Sequence, residues 1–281
     1  MDDHSLSGKA DNLKPRYIHG HHESVLRSHS WRTAENSAAY LLPYLKPSMT
    51  ILDVGCGPGT ITADLAERVA PGKLLAIDSG DDAVRVTAEE ISRRNLTNTV
   101  ILKADIYDPD FQSTYHESFD IVHAHQVLQH LPDPIGAMKI MRSLCKPGGL
   151  MAVRDADFGA STWFPQSDML DKWLELYQKL ARANKGEPEA GRRLLSWARL
   201  SGFENIISSA SCWCFATPED RLWWGTTWAD RMTKSAVAEQ AEKSAMATKE
   251  GLQAIAAAWK EWAKAPDGWY VIVSGELICR K

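Results

Sequence analysis

Several things are scarce in this sequence, and each scarcity closes off a class of protein. No apolar run approaches the ~20 residues that a bilayer-crossing helix needs. Five cysteines in 281 residues, scattered from Cys56 to Cys279, are too few and too dispersed for a disulfide framework. Cys212 and Cys214 sit two apart on a predicted strand and so share a face. Without further Cys or His at ligand spacing they read as apolar filler, and no metal is expected. A formal net charge of −4 supplies no basic field, which makes nucleic acid a poor partner. The opening Met1-Asp2-Asp3-His4 lacks the charged and apolar regions of a secretion signal, so a cytoplasmic location is the expectation. Tryptophan is nearly missing from the first half: of eleven tryptophans, only Trp31 precedes residue 160. That asymmetry suggests a cofactor half followed by a substrate-facing half.

What is present is organised around Ile51-Leu52-Asp53-Val54-Gly55-Cys56-Gly57-Pro58-Gly59-Thr60. Strand-favouring residues lead into an acid and a glycine loop. Ile61, Leu65, Ala66 and Val69 then recur at helical spacing. Such a turn lets the backbone approach a ligand and presents the free N–H groups of a helix start, a grip for one end of a nucleotide-like cofactor. Dinucleotide enzymes place a third glycine in G-x-G-x-x-G; the spacing here is G-x-G-x-G.

Short apolar strands alternate with helices after the loop. Strands are predicted over 73–78, 99–105, 119–124 and 150–155, and helices over 83–95 and 134–145. A short helix is predicted earlier, over 36–45. This alternation means a parallel sheet covered on both faces, with its carboxyl edge as the ligand edge. Asp78, 19 residues past Gly59, ends the second strand at a separation that suits a carboxylate accepting two ribose hydroxyls. Asp105 ends the third. At 281 residues, 44% of them apolar, the chain can bury one sizeable core, or one core with an added cap.

These motifs resemble the class I S-adenosylmethionine-dependent methyltransferases. Asp53 to Thr60 looks like motif I, Asp78 like the acid that follows it, Ala104-Asp105-Ile106 like motif II, and Phe119 to Pro134 like the strand-four motif. Leu144 to Gly149 looks like the turn before strand five. The resemblance covers roughly residues 17–155 and is nearest to the ubiquinone/menaquinone-biosynthesis type. It implies an α/β, Rossmann-like fold with a seven-stranded sheet in the order 3-2-1-4-5-7-6, strand seven antiparallel. It also implies S-adenosyl-L-methionine as cofactor, with S-adenosyl-L-homocysteine as product. The cofactor-binding set it implies is Tyr17, Arg32, Asp53, Gly55, Cys56, Gly57, Thr60, Asp78, Ser79, Ala104, Asp105, Ile106, His125 and Gln126. In that set Asp78 holds the ribose and Asp105 the adenine amino group. Arg32 can pair with the methionine carboxylate, and the Tyr17 ring can lie near the sulfonium.

The organisation expected is a mobile tail (1–16), an N-terminal lid (17–46), the cofactor core (47–160), a helical insert (161–202), and strands six and seven around a helical cap (203–281, cap 217–265). His19, His21 and His22 fall in the lid. A metal reading would need them on one face, and a lid is the preferred reading. Leu170, Trp173, Leu174, Tyr177 and Ala181 mark an amphipathic helix, 192–201 a second, and Thr217-Pro218-Glu219-Asp220 a helix start. Strand six is predicted over 203–215 and a final strand over 269–281. In the cap, Trp223, Trp224, Trp228 and Met232 either sandwich a flat apolar acceptor or build helix-on-helix core or a dimer interface. Methyl transfer needs an in-line approach and excluded water. A base helps when the acceptor is a phenol, enol or carbon acid. His125 and Asp155 follow strand ends and are the catalytic candidates, with Asp157 beside them; His125 reads equally as cofactor wall or core histidine. His130 is expected to order its loop. Two rival readings are a cofactor-binding protein of this fold without methyl transfer and a dinucleotide oxidoreductase.

Overall fold

Consecutive residues of the inner strands feed opposite sides of one sheet. In the computed structural model, which describes residues 31–281, Ile51 is buried with Leu65, Leu74 and Ile121, whereas its neighbour Leu52 is buried with Leu75, Val122, Met138 and Met151. A sheet apolar on both faces must be covered on both, and helices supply the covers. The strands are β1 (Thr50–Val54), β2 (Lys73–Asp78), β3 (Thr99–Lys103), β4 (Phe119–His125), β5 (Cys145–Phe164), β6 (Asn205–Phe215) and β7 (Trp269–Arg280). Their spatial order is 3-2-1-4-5-7-6. β1 to β5 pair in parallel, and β7 runs antiparallel between β5 and β6. This is the expected α/β architecture.

The helices of the first half are α1 (Ala34–Ser37), α2 (Thr60–Val69), α3 (Asp81–Arg93), α4 (Pro109–Thr114) and α5 (Pro134–Leu144). Those of the second half are α6 (Asp168–Ala183), α7 (Ala190–Leu200), α8 (Pro218–Lys234), α9 (Ala236–Lys243) and α10 (Lys249–Lys264). Local chemistry fixes several starts. Thr217 accepts the Asp220 N–H with Pro218 in the first turn, and Asp133 accepts the Gly136 N–H with Pro134 following it.

Some expectations need correction. The helix over 36–45 is instead the four-residue α1, capped by Thr33 and Asn36, and a single 3₁₀ turn over Leu42–Tyr44. Pro43, inside the expected helix, cannot continue an i→i−4 ladder. Asp105 lies two residues beyond β3 instead of at its end. β5 runs on to Phe164, so residues 161–164 belong to the sheet and not to the helical insert. Cys212 and Cys214 do share a face of β6, but it is the exposed one, so they are not core filler. The expected tail, Tyr17, and His19, His21 and His22 lie outside the described residues.

The second half holds its own aromatic core. Trp173, Trp228 and Trp259 have no exposed surface and meet mostly edge to face, with Trp173 4.5 Å from Trp228 and 4.8 Å from Trp259. Trp228 and Met232 are therefore helix-on-helix core.

Candidate functional site

The glycine loop between β1 and α2 rests on β2: the N–H groups of Gly55 and Cys56 both donate to the Ile77 carbonyl, at 2.8 and 3.1 Å. Gly55, Gly57 and Gly59 all have left-handed φ, of 70°, 56° and 81°. A Cβ on Gly59 would lie 2.9 Å from the Thr87 Cα of α3, which explains that glycine by packing. A Cβ on Gly57 would meet no protein atom within 4 Å. Gly57 thus keeps space open without packing against anything.

Asp78, at the tip of β2, closes the loop from below. Its carboxylate accepts the Gly57 N–H at 3.1 Å and the Gly80 N–H at 2.9 Å. Each oxygen retains a lone pair for a further donor. Behind the loop, buried Asp53 accepts the Thr62 hydroxyl at 2.6 Å and the His123 Nδ1–H at 2.8 Å. This network fixes the end of β1 from α2 and β4 together. Burial, then the nearby Asp53 charge, pushes the Cys56 thiol well up, so it stays neutral.

One cavity of about 900 Å³ opens over this edge. Arg32, Asp53, Gly55, Cys56, Gly57, Thr60, Asp78, Ser79, Ala104, Asp105, Ile106, His125 and Gln126 all line it. Every described member of the cofactor set is therefore at one place. Tyr107, missed by sequence reasoning, joins the Asp105 end. Its N–H donates to Asp105 at 3.0 Å and its hydroxyl to the Asp133 carbonyl at 2.8 Å. Burial, with Asp133 and Asp105 adding to it, pushes that phenol up to about 12.

The opposite end is aromatic. Trp31, Trp213, Trp223, Trp224 and Phe158 line it. Trp31 meets Trp213 edge-on at 5.4 Å and Trp223 at 5.4 Å, and the Trp213 Nε1–H is fixed on the Asn36 carbonyl at 2.7 Å. Arg32 lies over the Trp213 ring at 5.3 Å. The cap tryptophans thus divide: Trp223 and Trp224 face the cavity, whereas Trp228 is core. Trp213, Phe158, Ile272 and Arg231 also line the cavity and were not singled out from sequence. For Trp213 a signal existed, because strand alternation sets it opposite Cys212 and Cys214.

His125 ends β4 in the cavity wall, largely buried, 5.8 Å from the Trp213 ring. Gln126 follows with φ 54°, unusual for a non-glycine residue and held by its N–H on the Arg154 carbonyl at 2.7 Å. Asp155 has no exposed surface and is not among the lining residues. It accepts the Gln129 N–H at 3.0 Å, tying down the turn Leu128–His130, and burial pushes its carboxyl up to about 7. Asp157 is taken up by Arg192 at 2.5 Å. His130 lines the cavity beside Gln129, to which it bonds at 3.0 Å. Loss of surrounding water and the Arg32 charge press its pKa down to about 3, so the ring is neutral.

An acid with acceptor capacity left at the loop, a left-handed glycine with open space above it, and a fixed carboxylate-and-tyrosine end suit an adenosyl cofactor with an amino-acid tail. The family model of a methyltransferase domain matches residues 45–251. The chain is 33% identical to an uncharacterized methyltransferase of Schizosaccharomyces pombe, over 94% of this chain and 96% of that one. It is 27% identical to "Probable methyltransferase ltbC" of Aspergillus luteorubrus, over 98% and 99% of the two chains. Among solved structures, phosphoethanolamine N-methyltransferase 2 of Haemonchus contortus, in complex with S-adenosyl-L-methionine, superposes with a TM-score of 0.55 at 16% identity, covering 89% of this chain and 56% of that chain. No helix of the described residues is long and apolar enough to cross a membrane. With its sheet order, glycine loop and family match in agreement, the chain belongs to the class I S-adenosyl-L-methionine-dependent methyltransferases.

Proposed function

We propose that this enzyme methylates a small, planar, largely apolar molecule held between the aromatic end of the cavity and the cofactor. The observation that carries the reading is continuity. One cavity is lined both by Gly57 and Asp78 and by Trp31, Trp213, Trp223 and Trp224. Bound S-adenosyl-L-methionine supplies an activated methyl group. The chain supplies the rest. The loop from Gly55 to Gly59 and Arg32 hold the amino-acid tail, Asp78 the ribose, and Asp105 with Ile106 the base. The indole walls orient the acceptor by their faces and keep water out, so that proximity and alignment lower the barrier. His125, at the junction of the two ends, takes a proton from an acidic acceptor. Asp155 supports this site from behind by holding the turn that carries Gln129 and His130.

The experiment is a titration with S-adenosyl-L-homocysteine, followed by incubation of the enzyme and S-adenosyl-L-methionine with fractions of a metabolite extract. Release of S-adenosyl-L-homocysteine dependent on planar, apolar fractions is expected. Tight cofactor binding with no turnover on any fraction would favour a non-methylating protein of the same fold.

A further inference from the structure

One arginine is wholly buried and yet meets a wall of the cavity from behind. Arg154, on β5, has no exposed surface and is not among the residues lining the cavity. It pairs in register with His125 of β4 on one side and with Glu276 of β7 on the other. Its side chain reaches across β7 to β6. There Nε donates to the Ser211 hydroxyl at 3.1 Å and lies 3.3 Å from the Glu276 carboxylate. Glu276, also buried, accepts the Ser209 hydroxyl at 3.0 Å and the Ser211 hydroxyl as well. Past Ser211, the guanidinium carbon stands 4.6 Å from the centre of the Trp213 ring. Nη1 and Nη2 find no hydrogen-bond acceptor among the described residues, and it is the face of the indole that the fork meets.

Desolvating two charges offsets much of what their attraction gains, so a buried pair of this kind contributes little to stability by itself. What this pair adds is placement. Trp213 lines the aromatic end of the cavity, with His125 at 5.8 Å and the edge of Trp31 at 5.4 Å. Its Nε1–H is fixed on the Asn36 carbonyl, which pins one point of the ring and leaves its tilt open. A guanidinium laid against the face sets that tilt, because cation–π attraction and stacking both fall away as the ring turns.

We infer that Arg154 is a positioning residue that acts through Trp213: aimed by Glu276 and Ser211, its guanidinium fixes the plane of the indole beside His125. In making Trp213 the wall against which the acceptor lies, this rests on the acceptor end proposed above; the hold of Arg154 on the ring stands apart from it.

The test uses the full chain labelled with 5-fluorotryptophan, saturated with S-adenosyl-L-homocysteine and read by fluorine NMR. Trp213→Phe assigns the Trp213 resonance, and Trp228→Phe that of Trp228 in the core. In Arg154→Met the Trp213 resonance should shift and broaden or split, while that of Trp228 keeps its position and width. Arg154→Lys has a stem of similar length but keeps a cation, and it should return a single Trp213 resonance near the wild-type position. Arg154→Gln replaces Arg154→Met should the latter not fold. The inference is overturned if the Trp213 resonance is unmoved by loss of the cation, if Arg154→Lys disturbs it as much as Arg154→Met, or if the Trp228 resonance broadens equally, which would mean general loosening. Calorimetry with 2-naphthol, a planar neutral probe, then ties the ring to the acceptor end. Wild type should bind it about fivefold or more tightly than Arg154→Met does, and equal affinities would also overturn the inference. A wild-type chain that binds no 2-naphthol while its Trp213 resonance responds as expected counts against the acceptor end and not against the hold of Arg154 on the ring.

Discussion

Gly57 and Gly59 are two residues apart, share a left-handed backbone, and should respond to the same substitution in opposite ways. At both, alanine incurs the left-handed penalty of roughly 1–2 kcal/mol. At Gly57 nothing more is expected of stability, because the new methyl meets no protein atom within 4 Å. At Gly59 the methyl lies 2.8 Å from Thr87 Cγ2 and 2.9 Å from its Cα, which is backbone of α3 and cannot rotate away. That overlap adds roughly 1–3 kcal/mol. The Gly57 methyl, however, would project into the open space proposed above for the amino-acid tail of the cofactor. Loss of one charge-assisted contact there, about 1.5–3 kcal/mol, weakens binding roughly tenfold to hundredfold. Thermal melts and calorimetry with S-adenosyl-L-homocysteine read the two quantities separately. Gly57→Ala should melt within a few degrees of wild type and bind poorly; Gly59→Ala should lose about 2–5 kcal/mol and melt clearly below Gly57→Ala. If Gly57→Ala binds like wild type, the loop does not cradle the tail. If the two variants melt alike, the packing argument for Gly59 is wrong.

Other consequences follow from burial and lining. Trp228→Ala, in the core of the second half, should cost about 3–5 kcal/mol in denaturant unfolding. Trp223→Ala, at the partly buried cavity wall, should cost much less and instead lower acceptor turnover; equal destabilisation would contradict the division of the cap tryptophans. Asp155 has a folded-state pKa of about 7 against 3.8 for a free carboxyl, so the folded state holds the proton more tightly. Its penalty is absent below about pH 4, grows as pH rises toward 7, and is complete above it. Asp155→Asn keeps an oxygen for the Gln129 N–H, so its advantage over wild type should be nil at pH 4 and reach about 2–4 kcal/mol at pH 8. An equal difference at both pH values would refute the assignment. His125→Gln should lower kcat about a hundredfold or more on an acidic acceptor, and an unchanged kcat would remove His125 as the base.

The cofactor end was legible because its signals are local. Asp53 to Thr60 carries strand, turn and helix start in ten residues, and Asp78 ends an uninterrupted apolar run. The family resemblance then supplied residues such as Ser79, Gln126 and Arg32 that periodicity alone does not mark. The acceptor end depends on tertiary placement. Helical spacing marks Trp223, Trp224 and Trp228, but which of them faces open space is decided by how α8 rotates against β6 and β7. β5 was read too short because Gly159, Ala160 and Ser161 interrupt the apolar pattern where its register with β7 shifts between Asp157 and Thr162. α4, only six residues long, left a signal that went unread: Asp108 caps it and Pro109 opens it. Asp155 has the composition and strand position of a catalytic acid, and only the structure shows its carboxylate turned to the Gln129 backbone.

The central claim is that Asp78 holds the ribose of the cofactor, and a double-mutant cycle in the ligand and the protein tests it. S-adenosyl-L-homocysteine and its 2′-deoxy and 3′-deoxy analogues are titrated into wild type and Asp78→Asn. Removing a hydroxyl, or removing the carboxylate, should each weaken binding by about 1.5–3 kcal/mol, and the two losses should not add. Fully additive losses would show that the carboxylate and the sugar never meet, and the assignment of this pocket would fall.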